Sequence, residues 1–181
     1  MRINVYIDNN VWDFLYELRL DLCAELPRTE YWLCLTREAE FEIQAIPPDK
    51  VELKAFIEDT IRKCGVETRS FFGFYDDRYP AHEQRFGGFD EGRWASEKEL
   101  LFIEQQQAWL SDKKRPTGLY ENEADISLAA RASNSVVLSL DRKKGPLHCA
   151  YESGWKVIFL TDYDKQRESL AAFVRSKLAN P

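Results

Sequence analysis

Residues 121–141, ENEADISLAARASNSVVLSLD, decide how the rest of the chain is read. The second half, Ser135 to Leu140, is an apolar, β-rich run of the kind that forms a buried parallel strand. The first half has helical spacing: Asp125, Leu128, Ala129 and Ala132 fall at i, i+3, i+4 and i+7. A carboxylate therefore heads the stripe that faces the sheet, and a second one, Asp141, ends the strand that follows. Taking two acids out of water is costly unless a cation or hydrogen-bond donors compensate them. The pair marks a candidate site.

Working toward the N-terminus, Ser96 opens a predicted helix through Lys113, with Leu100, Ile103 and Leu110 inward. Before it lies GFYDDRYPAHEQRFGGFDEGRWA, residues 73–95, more than twenty residues without periodicity. Such a stretch reads as an insertion beside a site. Its Tyr75, Tyr79, Phe86, Phe89 and Trp94, mixed with Arg78, Arg85 and Arg93, are expected to stack bases and grip a nucleic-acid backbone. Further back, residues 66–72 read as a third strand. A helix carrying Leu53, Phe56, Ile57 and Ile61 is opened by an Asp49/Glu52 capping signature and closed by Gly65.

Thr36 caps another helix, Arg37 to Ile46, in which Glu42 lies on the stripe of Ala39, Ile43 and Ile46. Residues 32–35 form a short second strand. At the start of the chain Ile3 to Ile7 alternates as a first strand ending in Asp8, and Asn9 or Asn10 caps a helix with Val11, Phe14, Leu15, Leu18 and Leu22 inward. Beyond the central stretch, Arg142-Lys143-Lys144-Gly145-Pro146 leads into a short helix. Residues 155–160 make the last strand, and Thr161 to Asp164 cap a final helix with Leu170, Phe173, Val174 and Leu178. Strands alternating with helices predict one α/β domain, three layers deep, around a parallel sheet of about five strands.

The 181 residues carry a net charge of −6, so no global field attracts nucleic acid or an anionic membrane. A polyanionic substrate would have to be held by local basic clusters or by metal ions. No leader and no apolar run near membrane-spanning length is present, and no membrane partner is expected. Cys23, Cys34, Cys64 and Cys149 show no CxxC spacing, and with two histidines a zinc site is poorly supported. A reducing cytosol is the expected compartment.

Asp8 and Asp141 end strands at the sheet edge where ligands of open parallel sheets bind. Glu42 and Asp125 lie on helices adjoining that edge. Carboxylates that converge without histidines repel one another unless a hard divalent cation sits among them, and oxygen ligands select Mg²⁺ or Mn²⁺. Such ions support phosphodiester hydrolysis.

Four stretches resemble the PIN-domain nucleases in order and spacing: VYIDNNVWDFL (5–15), LTREAEFEI (35–43), EADISLAARA (123–132) and VVLSLDRK (136–143). The resemblance implies metal-ligand and catalytic roles for Asp8, Glu42, Asp125 and Asp141, with Asn10 and Ser139 as polar supports. It also implies the strand order 3-2-1-4-5 and endoribonuclease activity, often as the toxin of a toxin–antitoxin pair. Arg142, Lys143 and Lys144 beside Asp141, with Arg85 and Arg93 of the insertion, are the expected substrate-binding cations. Expected partners are RNA and, for a toxin-type member, an antitoxin protein; a homodimer is compatible with the sequence. The rival readings are a non-catalytic PIN-like module that binds RNA or protein, and a DNA-directed nuclease.

Overall fold

The structure is a computed structural model in which residues 2–73, 77, 79–88 and 92–179 are described. Tyr75, Arg78 and Phe89 of the expected binding insertion lie outside them. In chain order the elements are β1 (Ile3–Ile7), α1 (Asn10–Glu17), α2 (Leu22–Glu25), β2 (Tyr31–Leu35), α3 (Arg37–Gln44), α4 (Val51–Cys64), β3 (Glu67–Thr68), β4 (Ser70–Phe71), β5 (Gly92–Arg93), α5 (Glu97–Gln105), α6 (Glu123–Arg131), β6 (Val136–Ser139), α7 (Pro146–Glu152), β7 (Val157–Phe159) and α8 (Leu170–Ala179). The main sheet is parallel, in the order β3-β2-β1-β6-β7. Counting its strands from the N-terminus, this is the expected 3-2-1-4-5.

Alternation along the strands divides the interior into two cores. Val5, Ile7, Leu33, Leu35, Val136 and Leu138 face α1, α3, α4 and α8. Tyr6, Cys34, Val137 and Val157 face α5, α6 and α7. The result is a three-layer α/β/α domain. Among the described residues no helix is long and apolar enough to cross a membrane.

Several local expectations are corrected. The first helix stops at Glu17, because Arg19 adopts a left-handed conformation (φ 49°) and Asp21 caps a separate short helix by accepting from the Cys23 N–H at 3.1 Å. Neither Asn9 nor Asn10 caps α1 through its side chain, and α4 opens at Lys50 without the capping bond expected of Asp49. Gly65 does close α4, in the left-handed conformation at φ 58°. The predicted third strand divides: only Glu67–Thr68 joins the main sheet, while Ser70–Phe71 pairs with Gly92–Arg93. Thr161 and Asp162 lie in a 3₁₀ turn, and Ser169 instead accepts from the Ala172 N–H near the start of α8.

The helix after Ser96 departs most from expectation. Its cap is real, with Ser96 and Glu99 bonding each other's backbone N–H groups. However, α5 ends at Gln105 and a 3₁₀ turn over Gln106–Trp109 follows. The buried face is Glu99, Phe102 and Gln106, whereas Leu100 is 56% exposed. An ion pair described below draws Glu99 inward and sets that phase. Residues 111–121 then form a small hairpin: Lys114 bridges Tyr120, and the Gly118 N–H, at φ 82°, donates to the Arg115 carbonyl at 2.9 Å.

Cys23 and Cys64 are joined by a disulfide that ties α2 to the end of α4 across 41 residues. No sequence spacing marks this pair, and such a bond is unusual in the reducing compartment expected above. Closing a loop of that size restricts the unfolded chain, so reductant or Cys23→Ser is expected to lower stability by about 2 kcal/mol or more. Identical melting temperatures with and without reductant would contradict the bond.

Candidate functional site

Asp8 follows β1 and is 8% exposed. Its backbone N–H continues the ladder by donating to the Leu138 carbonyl at 3.0 Å, which fixes the side chain beside the end of β6. Three donors meet the carboxylate: the Asn9 N–H at 2.7 Å, Asn10 Nδ2 at 2.6 Å and the Ser139 hydroxyl at 2.5 Å. Asn10 Oδ1 accepts from the Leu140 N–H at 2.9 Å, and Ser139 Oγ accepts from the Asp141 N–H at 2.9 Å. Asn10 and Ser139 therefore bind the end of β1 to the end of β6 and hold Asp8 and Asp141 in one frame. Asp141 in turn accepts from the Lys143 N–H at 3.0 Å.

Glu42 comes from α3 and Asp125 from the first turn of α6. Burial is the main cause that pushes Glu42 up to about 7, with the charges of Asp8 and Asp125 adding to it and Arg115 opposing. Burial likewise leads for Asp125, raised to about 6, with Asp8 and Asp141 adding and Arg115 again opposing. Asp8 is raised by burial and slightly by Asp141, against the lowering effect of its three donors. Each of the four acids thus feels at least one of the others, and all four stand on one side of the domain. The described residues contain no group of three or more acidic, histidine or cysteine side chains that could hold a metal ion as they stand. Asp125 and Asp141 line one cleft, whereas Glu42 lines a separate pocket with Asn9, Asp13 and Lys50, so the carboxylates feel one another's charge without meeting at ligating distance. Their chemistry, all hard oxygen donors with little competing nitrogen or sulfur, fits Mg²⁺ or Mn²⁺.

Beside the acids lies a cleft of about 330 Å³ lined by Trp109, Arg115, Asp125, Asp141, Lys143 and Lys144, among others. Lys143 and Lys144 are exposed there, as expected of phosphate-binding cations. Arg142 is turned away: it pairs with Asp162 at 2.6 Å and lies over the Phe159 ring. Neither Arg85 nor Arg93 lines this cleft; Arg85 instead lines a separate pocket with Glu38 and Phe71. The side chain of Arg85 is 8% exposed and donates to Glu123 at 2.8 Å and to the Gly118 carbonyl at 2.7 Å. Arg93 pairs with the fully buried Glu99 and lies 4.7 Å from the Phe71 ring centroid. Both guanidinium groups are committed to interior partners, which is why an Arg- and aromatic-rich stretch resembles a nucleic-acid surface in sequence.

Two residues of the site escape the sequence reading. Arg115, placed by the 111–121 hairpin, stands 3.8 Å from Glu42 and offsets the charge of the acids. Only its position in the Lys113-Lys114-Arg115 run hinted at a cation there. Glu38, one turn before Glu42, is 6% exposed, and its Oε2 has no hydrogen-bond partner among the described residues. It lies in the first turn of α3, where a cap-rich acidic sequence gives no sign of burial.

The raised acids set a pH dependence. A carboxyl whose folded pKa exceeds its unfolded value binds more protons when folded, so stability falls as pH rises between the two values. For Glu42 that window runs from 4.5 to about 7, and for Asp125 from 3.8 to about 6. One pKa unit is about 1.4 kcal/mol, so Glu42 alone costs on the order of 3 kcal/mol at pH 8. The metal-free protein is expected to melt higher at pH 5.5 than at pH 8, and Glu42→Gln is expected to flatten that difference. A melting temperature that climbs from pH 5.5 to 8 in EDTA would contradict the clustering.

No family model, curated protein or solved structure matches the chain.

Proposed function

We propose that the chain is a PIN-like, divalent-cation-dependent endoribonuclease. The observation that carries this reading is the mutual electrostatic burden of Asp8, Glu42, Asp125 and Asp141 beside a cleft lined by Arg115, Lys143 and Lys144. Like charges gathered near one edge of a parallel sheet and raised by burial weaken the fold, unless cation binding is their use.

The residues have separable tasks. Asp8, Glu42, Asp125 and Asp141 would hold Mg²⁺ or Mn²⁺, and a cation bound there supplies Lewis-acid activation of water and neutralises charge on the phosphodiester. Asn10 and Ser139 fix the Asp8 and Asp141 carboxylates. Lys143 and Lys144, exposed in the cleft, would bind backbone phosphates near the acids. Arg115 opposes the rise that burial causes in Glu42 and lines the same cleft as Lys143 and Lys144. RNA is favoured over DNA by the PIN resemblance alone. The same resemblance carries a toxin's role with an antitoxin protein as partner; a cytoplasmic location rests instead on the cysteine usage, and there the Cys23–Cys64 bond would be an exception.

The test is cleavage. Purified protein with Mn²⁺ or Mg²⁺ is expected to cut single-stranded RNA, and EDTA is expected to stop it. Ca²⁺ is expected to support cleavage poorly because its coordination geometry is looser. Transfer, ribosomal and messenger RNA and single-stranded DNA all left intact by the Mn²⁺-treated protein would overturn the nuclease reading in favour of a non-catalytic module. Cutting of DNA alone would redirect it to a DNA nuclease.

A further inference from the structure

Across the ridge from the acidic cleft lies a second pocket of about 360 Å³, between α3, α5, α6 and the segment around residues 79–86. The ridge is the place where Asn122, at the start of α6, donates to the Trp109 carbonyl at 2.7 Å. Trp109, Asn122 and Asp125 face the cleft, while their chain neighbours Leu110, Glu123 and Ile126 line the pocket. The pocket walls are largely rings and aliphatic side chains, with Phe71, Tyr79, Phe86 and Tyr120 among them.

Most of the polar groups in this pocket are engaged. Glu123 accepts from Arg85 at 2.8 Å and from the Tyr120 N–H at 2.7 Å. Ser127 Oγ accepts from Arg131 at 2.7 Å, and Gln107 donates to the Ile103 carbonyl at 3.3 Å. Glu38 is different: it lines the pocket, it is 6% exposed, and its Oε2 has no hydrogen-bond partner among the described residues. A buried carboxylate oxygen without a donor is costly, and native proteins seldom leave one in that condition without a use.

The missing partner can be described by its chemistry. It must be flat enough to lie among rings, and it must present adjacent N–H donors to a carboxylate. Of the four RNA bases only guanine does both, through N1–H and the 2-amino group. Adenine and cytosine place a ring-nitrogen acceptor beside their amino group, and uracil flanks its one N–H with two carbonyl oxygens. The position suits an RNA ligand. Glu38 and Glu42 lie one turn apart on α3, and Ile126 of the pocket follows Asp125 of the cleft directly on α6.

We propose that this pocket receives a guanine base of single-stranded RNA, with the Glu38 carboxylate accepting from its Watson–Crick edge while the neighbouring phosphate lies in the acidic cleft. The choice of RNA as the source of the base rests on the nuclease reading; the pocket's preference for guanine rests on Glu38 and the rings.

The test is nucleotide binding by the full chain in EDTA, where no cleavage occurs, so that it can fail or succeed independently of the nuclease reading. Guanosine 5′-monophosphate is expected to bind at least about tenfold more tightly than the adenosine, cytidine and uridine monophosphates. Inosine 5′-monophosphate, which lacks the 2-amino group, is expected to lose most of that advantage, a comparison that needs no substitution in the protein. Glu38→Gln is expected to abolish the preference. Equal affinity for the four nucleotides, or a guanine preference that survives in Glu38→Gln, would overturn the proposal. So would Glu38-dependent binding of Nα-acetylarginine amide in place of the guanine nucleotide, because the pocket would then be built for a protein side chain.

Discussion

Asp125→Asn is expected to lower Mn²⁺-dependent RNA cleavage on the order of a thousandfold, about 4 kcal/mol in the barrier, while the metal-free protein melts at a higher temperature than the wild type. The two effects have one origin. Asp125 lies in the first turn of α6 with its carboxyl raised to about 6, by burial first and then by Asp8 and Asp141. The amide is nearly isosteric, so packing around Ile126 and Leu128 persists, and an unfavourable charge is removed from the folded state. The same change removes an anionic oxygen donor, and a neutral amide is a much weaker ligand for a hard cation. A variant that is destabilised and inactive together would show only that the fold had been damaged. One that is stabilised and fully active would remove Asp125 from the site.

Arg93→Ala is expected to cost about 3–5 kcal/mol of stability, the usual consequence of stranding a buried charge. Glu99 is fully buried. Burial alone would raise its pKa, yet the bonds from Arg93 and Ser96 outweigh that and hold it below the usual carboxylate range. Arg93 reaches both Glu99 oxygens, one of them at 3.0 Å, and places its guanidinium plane by Phe71. Without it, the folded state must either protonate Glu99 or open α5 to water. Replacing both residues, Arg93→Leu with Glu99→Leu, is expected to recover much of the loss, because no charge is then left unpaired. Urea unfolding midpoints of the two single variants and the double variant measure this directly. A loss below about 1 kcal/mol, together with a weaker salt dependence of RNA binding, would return Arg93 to the substrate-binding role that its sequence setting first implied.

The layer structure was legible because its signals are dense and local. β1 and β6 are apolar runs that alternate between two cores, and Asp8, Ser139 and Asp141 lie at strand ends where one register places all three. Asn10 and Ser139 are marked as supports only by the match to the PIN-domain stretches, since no periodicity or charge singles either of them out. What could not be read depends on partners remote in sequence. Glu99 is the most buried residue of α5 only because Arg93 neutralises it, so helical spacing of apolar residues chose Leu100 and Ile103 for the inner face. Arg85 lies in a stretch as basic and aromatic as an RNA-binding loop, yet its guanidinium sits over the rings of Tyr79 and Phe41 inside the molecule. Arg115 reaches Glu42 through a hairpin whose turn depends on Gly118, where the sequence reads as the frayed end of a helix. Cys23 and Cys64 carry no spacing signal at all; the packing of α2 against α4 brings them together.

Whether the four carboxylates act as one cation centre is tested most directly by melting the metal-free protein at pH 8 against increasing Mn²⁺. A cation that binds only the folded state raises its stability by about 2.7 kcal/mol at a hundred times its dissociation constant. The melting temperature should therefore climb with Mn²⁺, and the increment should shrink in Glu42→Gln and nearly vanish in Asp8→Asn. It should also weaken as the pH falls below about 7, where Glu42 takes up a proton in competition with the ion, and further below about 6, where Asp125 does. A melting temperature that stays fixed at millimolar Mn²⁺, or one that rises equally in wild type and Asp8→Asn, would show that these acids do not share an ion.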